Sequence, residues 1–384
     1  MPGHVSILAI IGFTATAAYA GFLLALSVGF RRTVSEAFRV PKSGDPGPAI
    51  SVIIPARNEA PGIEAVLRRV FASRYPDYEV IVVDDASTDG TGDLVRAAPQ
   101  FGGGSLHLIQ LAEPEPGTRA TKKRAIEAGV ALASGEWILQ TDADGSPGER
   151  WIEGMATYFQ ADTDFVAGPV AYPSGTTFFE RFQALEFLGF AGIAAGSIGL
   201  GRPILCSGAN MAFRKSAFVV AGGHGHSSHL TSGDDELLMQ RIQAETAGRV
   251  RYCADPEALV LTDAMPTLAS FLEQRRRWAS KGAHYPARRL IGINLVIFGA
   301  FAFLVAGVPW SIANPSVAPY VAGGFVLKVL GEAVLLAMVT RHFGRSALMR
   351  YLLPSQPLEI AYIVAASVAG VWGRFEWKGR RFDR

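Results

Sequence analysis

Hydrophobic and polar positions divide this chain into three stretches of different rhythm. From Val5 to Phe30 there are 26 residues without a charge, more than the roughly 20 apolar residues that span a bilayer. This predicts a membrane helix within residues 1–30. A cleaved leader is a poorer reading, because the chain starts Met-Pro-Gly-His and the basic residues Arg31, Arg32 and Arg39 follow the apolar run. The positive-inside rule then puts the chain beyond Arg31 in the cytoplasm. Residues 31–48, ending in PKSGDPGP, read as a linker.

From residue 49 to 289 short β-branched runs alternate with helical segments. Ser51–Pro55 (SVIIP), Glu79–Asp84 (EVIVVD), Trp137–Gln140 (WILQ) and Phe165–Ala167 are nearly continuous in apolar residues, the pattern of parallel strands buried on both faces. Ala60–Ser73 and Thr118–Ser134 read as helices between them. Such alternation predicts an α/β domain with a doubly wound sheet, whose ligands sit beyond the carboxyl ends of the strands.

After Arg289 no charge occurs from Leu290 to Leu327, and Leu290–Ala313 and Val317–Thr340 predict a membrane hairpin turning at Asn314-Pro315. A shorter run, Ile360–Gly373, completes a helical region over residues 290–373, either as a span or as a re-entrant segment. The basic tail, residues 374–384, then belongs in the cytoplasm if the last run does not cross. Lys328 and Glu332 lie four apart inside a span, which predicts a pair facing protein or water. Phe178–Gly201 reads either as a helix on the membrane surface or as an ordinary core helix.

Composition narrows the classes. Only 18% of residues are charged while 49% are apolar, which argues against disorder and for partial membrane residence. The net charge of +2 gives no basic excess, so a nucleic-acid partner is not expected. Two cysteines, Cys206 and Cys253, exclude a disulfide framework and a four-cysteine zinc site. His224, His226 and His229 lie in a Gly/Ser-rich run, GGHGHSSHL, that reads as a loop rather than a zinc site.

Chemistry concentrates where strands end. In WILQTDADGS, Asp142 and Asp144 follow an apolar strand; two carboxylates so spaced can share a divalent cation, Mg²⁺ or Mn²⁺, with substrate phosphates. EVIVVD ends in DDASTDGT, bringing Asp84 and Asp85 to the same edge, where Ser87, Thr88 and Asp89 are placed to cap the next helix. The first strand ends in PARNEA, with Pro55, Asn58 and Glu59. Three polar loops at one sheet edge exceed what turn formation requires. Asp85 suits a base or ribose while the metal pair suits a diphosphate.

These segments resemble, in order and over about Ser51–Trp278, the membrane-integrated family-2 glycosyltransferases. SVIIPARNEA is similar to that family's opening strand and VVDDASTDGT to its nucleotide loop. TKKRAIEAGVALASGEWILQTDAD resembles the run into the metal-binding DxD, with Lys122 where the family often carries a lysine. CSGANMAFRKSAF resembles the acceptor-side segment, with Gly208 and Asn210. SGDDELL resembles the ED motif, with Asp234 replacing Glu, and Gln274–Trp278 (QRRRW) matches QxxRW.

The resemblance implies a GT-A fold at 49–289, a nucleotide-sugar donor, a divalent cation and inversion at the anomeric carbon. Asp235 then becomes the candidate general base for an acceptor hydroxyl. Gln274, Arg277 and Trp278 would sit near the diphosphate and acceptor, Arg as a bidentate phosphate ligand and Trp as a flat apolar face. Arg275 and Arg276 read as a lipid-facing basic patch, and FEWKGRRF near the chain end, with Lys378, Arg380 and Arg381, resembles the WKGR ending of some membrane family-2 enzymes.

The implied acceptor is a membrane lipid met at the bilayer's cytoplasmic face, since few spans follow the catalytic region; a growing polysaccharide is the alternative. DADGS is also similar to the DxDxT nucleophile motif of haloacid-dehalogenase-like phosphohydrolases, which leaves DDASTDGT and QRRRW unexplained.

Overall fold

A computed structural model describes residues 7–37, 47–98, 104–114, 122–225, 233–279, 288–371, 375–377 and 380–382. The chain divides into two compact units. One, here the sheet unit, comprises Gly29–Pro173 and Ile193–Asp263; the other, the helical unit, comprises Met1–Val28, Ser174–Gly192 and Ala264–Arg384. Two helices pass from one to the other: α1 (Ile7–Ala37) and α6 (Phe178–Gly199).

The sheet unit is built on β1 (Ile50–Ala56), α2 (Ile63–Val70), β2 (Tyr78–Asp85), α3 (Thr91–Ala97), β3 (Ser105–Leu111), α4 (Lys122–Leu132), β4 (Trp137–Gln140), α5 (Trp151–Ala156), β5 (Thr163–Ala167), β6 (Val170–Ala171), β7 (Met211–Arg214), α7 (Lys215–Val220), α8 (Glu236–Glu245), β8 (Arg249–Tyr252) and β9 (Val260–Leu261). Its main sheet runs β3-β2-β1-β4-β7-β5-β8. Pairings among β3, β2, β1 and β4 are parallel, β7 is antiparallel to both neighbours, and β5 pairs parallel with β8. β6 and β9 form a separate two-stranded ladder.

The four expected strands are β1, β2, β4 and β5. β1 and β4 are buried at every position because helices cover both faces. Trp137 on β4 is fully buried and stacks on Phe159 at 4.1 Å between ring centroids. Strand order reverses between β1 and β4, which makes that crevice the topological switch point, the place where open α/β sheets hold ligands.

The last turns of α1 meet the end of α6 at glycines. A Cβ on Gly29 would lie 2.0 Å from the Gly196 carbonyl oxygen, and one on Gly199 would lie 2.1 Å from that of Gly29. Backbones approach here as only small residues permit, and Thr33 seals the contact by donating to Ala195 O at 2.8 Å. Arg31–Ala37, expected in the linker, is therefore helical; residues 38–46 lie outside the described residues.

The helical unit adds α9 (Leu268–Ala279), α10 (Arg288–Ala313), α11 (Ala318–His342), α12 (Leu352–Val371) and a hairpin of β10 (Phe375–Trp377) and β11 (Arg380–Phe382). Lys378 lies outside the described residues. Among the described residues, five helical runs are long and apolar enough to cross a membrane: Ile7–Ala37, Phe178–Gly199, Arg289–Ala313, Pro315–His342 and Ser346–Gly370. In four of them 28% of the most apolar window is buried, against 72% for Phe178–Gly199, so α6 is a core helix rather than a surface one.

The last run exceeds the expected Ile360–Gly373, because the polar residues that seemed to interrupt it are satisfied inside the bundle. Lys328 on α11 is fully buried and bonds Glu332 and Gln356 at 2.6 Å each and Glu359 at 3.1 Å. Gln356 returns its amide to Glu332 and Glu359, and Tyr19 on α1 donates to Glu332 at 2.9 Å. The Lys328–Glu332 pair thus faces protein, as its spacing predicts.

Candidate active site

The loops after β1 and β2 are laced together. Asn58 N donates to Ser87 Oγ and Asn58 Oδ1 accepts from Thr88 N, both at 2.9 Å. Glu59 N donates to Thr91 Oγ1 and Ala60 N to Asp89 Oδ2, again at 2.9 Å. Asn58 and Ala86 are the non-glycine residues with positive φ, at 53° and 57°, among those described. A left-handed backbone in both loops is strain that the cross-links maintain, as is frequent at ligand sites. Pro55 is buried within β1, opposite Val83.

Asp84 and Asp85 have separate employment. Asp84 is buried; its Oδ1 accepts from Ser87 N at 2.9 Å and its Oδ2 from Gln110 Nε2 at 3.4 Å. Both of its carboxylate oxygens thus help to shape the loop. Asp85, 4% exposed, receives Nε (2.7 Å) and Nη2 of Arg124 on its Oδ1. Arg57 Nη1 donates to the carbonyls of Asp85, at 2.5 Å, and Ala86, at 3.1 Å. The cap of α3 is Gly90 (φ 88°), and Asp89 bonds Thr91 beside it.

Beyond β4 the DxD loop meets two further segments of the sheet unit. Lys122, at the start of α4, pairs with Asp142 and lies 3.1 Å from Asp234 Oδ2. Burial works against the Lys122 charge, but Asp142, Asp234 and Asp235 outweigh it and hold the ammonium above the usual lysine pKa. Asp144 is exposed on the same loop. Asp235 is the N-cap of α8: its Oδ1 accepts from Glu236 N at 2.7 Å and its Oδ2 from Gly208 N at 3.1 Å. It is both the acidic first turn of a helix and a partly exposed carboxylate at the site.

Gly208 is held at the centre of this group. A Cβ there would meet Lys122 Nζ at 2.9 Å and Asp234 Oδ2 at 3.0 Å, so no larger residue fits without displacing them. Gln140 Nε2 donates to its carbonyl at 2.8 Å. Asn210 stands apart. Its Oδ1 accepts from Trp151 Nε1, and its amide hydrogens go to Pro169 O and Ala258 O, all at 2.9 Å. Fully buried and spent within the fold, Asn210 ties β7 to its surroundings and is not the open acceptor-side contact expected of it.

His224 faces inward, 3.0 Å from Asp234 O, and its burial pushes its pKa down. No group of three or more His, Cys, Asp or Glu suited to a metal occurs among the described residues; His226 and His229 lie outside them.

Gln274, Arg277 and Trp278 belong to the helical unit, on α9. Arg275 beside them is buried against Glu186, not turned to lipid, which corrects its reading as a surface patch. Arg57 and Arg124 went unnoticed in the sequence because single arginines carry no motif; the acidic VVDD facing the basic TKKRA was the available signal.

The family model described as "Glycosyl transferase family 2" matches residues 51–219. A second, "Glycosyl transferase family group 2", matches residues 137–354, more than half of the chain. The chain belongs to the family-2 glycosyltransferases, and the phosphohydrolase reading of DADGS is set aside. It is 38% identical over 143 residues to the glycosyltransferase AglE of Haloferax volcanii, covering 36% of this chain and 45% of that one. With the probable glycosyltransferase YdaM of Bacillus subtilis it shares 29% over 272 residues, 67% of this chain and 61% of the relative. Poly-beta-1,6-N-acetyl-D-glucosamine synthase of Staphylococcus aureus is 25% identical over 236 residues, 61% and 54% of the two chains.

The alignments thus span about half the length of these curated relatives. Among solved structures, a mannosyltransferase of Pyrobaculum calidifontis in complex with GDP-Man and Mn²⁺ superposes with a TM-score of 0.56 at 22% identity, covering 95% of this chain and 99% of that one. The fold is GT-A, with helices able to cross a membrane flanking the sheet domain.

Proposed function

We propose that this enzyme transfers a sugar, with inversion, from a nucleotide-sugar to a membrane lipid at the cytoplasmic face. The observation that carries the reading is the junction of Lys122, Asp142, Asp234 and Asp235 around Gly208, at the sheet edge that also carries the Asp85 loop. A junction rich in carboxylates and holding one partly buried ammonium suits a diphosphate that arrives with its own cation. Lys122 is itself a stand-in cation on Asp142, so the donor set fits Mg²⁺ or Mn²⁺. Asp142 and Asp144 would hold that ion, which when bound neutralises charge on the departing diphosphate.

Asp85, fixed by Arg124, is assigned to the nucleoside, with Asn58 and Glu59 on the facing loop. Asp235 takes the proton of the acceptor hydroxyl as its oxygen bonds to the anomeric carbon and the bond from that carbon to the diphosphate oxygen breaks. Two backbone donors orient the Asp235 carboxylate for this. Gln274, Arg277 and Trp278 are assigned to the diphosphate and acceptor.

The family resemblance favours a UDP-sugar, while the Pyrobaculum neighbour binds GDP-Man. Helices long and apolar enough to cross a membrane flank the sheet domain in the sequence, which supports an acceptor drawn from the bilayer. The similarity to the staphylococcal polysaccharide synthase supports polymer synthesis as the second reading.

Purified protein in lipid, given Mn²⁺ and a panel of radiolabelled nucleotide-sugars, separates the readings. Label is expected in the organic phase; label in high-mass polymer would select the second reading. Asp235→Asn is expected to bind nucleotide and transfer no sugar, and unchanged turnover would remove Asp235 from the mechanism.

A further inference from the structure

We infer that Arg275, the second residue of the QRRRW run, is a positioning residue that sets Gln274 and Trp278 for the acceptor and diphosphate, an assignment that rests on the function proposed above. Its side chain is 3% exposed and its partner Glu186, on α6, 7%. Arg275 Nε donates to Glu186 Oε1 at 3.0 Å and Nη2 to Glu186 Oε2, a two-pronged fork. The Tyr362 hydroxyl on α12 donates to the same Oε1, so α6, α9 and α12 are joined through one carboxylate.

The remaining edge and the flat faces of the guanidinium serve the motif. Arg275 Nη1 donates to Gln274 Oε1, fixing that amide. Its Cζ lies 4.4 Å from the Trp278 ring centroid and 4.3 Å from that of Phe271, within cation–π range of both. Phe187 and Phe190 pack on Trp278 at 6.1 Å and 5.7 Å. Trp278 stays partly exposed. Arg275 itself is enclosed by Glu186, Gln274, Phe271 and Trp278 and is assigned no substrate contact; it holds two side chains that are. Lysine cannot replace it, because a point charge supplies neither the fork nor the planar stack.

A structural ion pair and a positioning pair respond differently to apolar replacement. Exchanging a buried ion pair for apolar residues of similar volume is often neutral for stability. The test uses the full chain in lipid nanodiscs, comparing Arg275→Met, Arg275→Lys and the double variant Arg275→Met/Glu186→Leu. Each is measured for donor and acceptor kinetics. Each also has a Trp278→Phe counterpart, so that the near-ultraviolet difference spectrum isolates the Trp278 environment.

The double variant is expected to stay folded, its thermal midpoint lowered only by the Tyr362 hydroxyl that loses its acceptor, while losing the Trp278 signal. Its kcat/KM for the acceptor should fall about 10- to 100-fold, the scale of a misplaced site, and donor KM should rise as Gln274 loses its fixed place. Arg275→Lys should give no rescue. A double variant with parental acceptor kinetics and Trp278 spectrum would reduce the pair to a structural tie and overturn the inference. If the parent transfers no sugar from any nucleotide-sugar tried, the proposed function fails alone. The Trp278 spectrum still decides the positioning role.

Discussion

Lys122 Nζ lies 3.1 Å from Asp234 Oδ2 while paired with Asp142, so one ammonium joins the DxD loop to the segment that carries Asp235. The same charge occupies a carboxylate that a divalent cation would use. Lys122→Met should therefore act in two directions. Transfer is expected to fall on the order of 10²-fold, the loss of one charge-stabilising donor. Affinity for Mn²⁺, read from the paramagnetic resonance of free Mn²⁺, should rise at least about fivefold, roughly 1 kcal/mol, as the competing cation is gone. Weaker Mn²⁺ binding in the variant would mean that Lys122 supports the metal site rather than competing for it.

Arg124 and Asp85 form the other tight junction, and their coupling is measurable. Asp85 is nearly inaccessible, so losing Arg124 takes a cationic partner from a buried carboxylate rather than freeing it. Arg124→Ala and Asp85→Ala are each expected to raise donor KM about tenfold with little change in kcat, the signature of lost ground-state binding. The double variant should be little worse than either single one, because both remove the same junction. Additive losses would show that the two residues contact the nucleotide independently.

The legible parts of the fold were those with one dominant signal. β1, β2 and β4 read directly from SVIIP, EVIVVD and WILQ because parallel strands covered on both faces are unbroken apolar runs. β3 escaped because it is the edge strand, and its Ser105, His107 and Gln110 break the run. β7 escaped because four residues after a loop show no period, and its antiparallel insertion between β4 and β5 is a tertiary choice. The carboxylates were visible through spacing, but not their partners: Asp84 and Asp85 are adjacent in sequence, yet the pleat turns one to Ser87 and the other to Arg124. Asn210 sits two residues from Gly208 and looked equally functional, until Trp151, Pro169 and Ala258 proved to claim its whole amide.

His224 gives the sheet unit an acid sensitivity with a defined sign. Burial lowers its pKa in the fold, while in the unfolded chain histidine titrates near about 6.5. As pH falls through that value the unfolded state takes up the proton first, so the stability present above it is progressively lost. The ring is bonded to Asp234 O, and the loss should therefore reach the segment that carries Asp235. His224→Gln is expected to flatten the fall in thermal midpoint between about pH 7 and pH 5. An equally steep fall in that variant would assign the acid sensitivity to other groups.

In the helical unit one lysine faces two carboxylates, and this imbalance makes Lys328 the critical member. Lys328 bonds Glu332, Gln356 and Glu359, while its ammonium lies 4.8 Å from the Phe301 ring centroid, so residues of α10, α11 and α12 depend on it. Removing one partner of a buried pair leaves the other uncompensated, typically at a cost of about 3 kcal/mol or more. Lys328→Met should lower the thermal midpoint of the protein in detergent clearly. Adding Glu332→Leu should recover much of that loss, because the stranded carboxylate and its desolvation penalty leave together. A Lys328→Met protein that unfolds at the parental temperature would show that packing of the apolar faces alone holds α10, α11 and α12. A double variant no better than the single one would place the stranded charge on Glu359 instead.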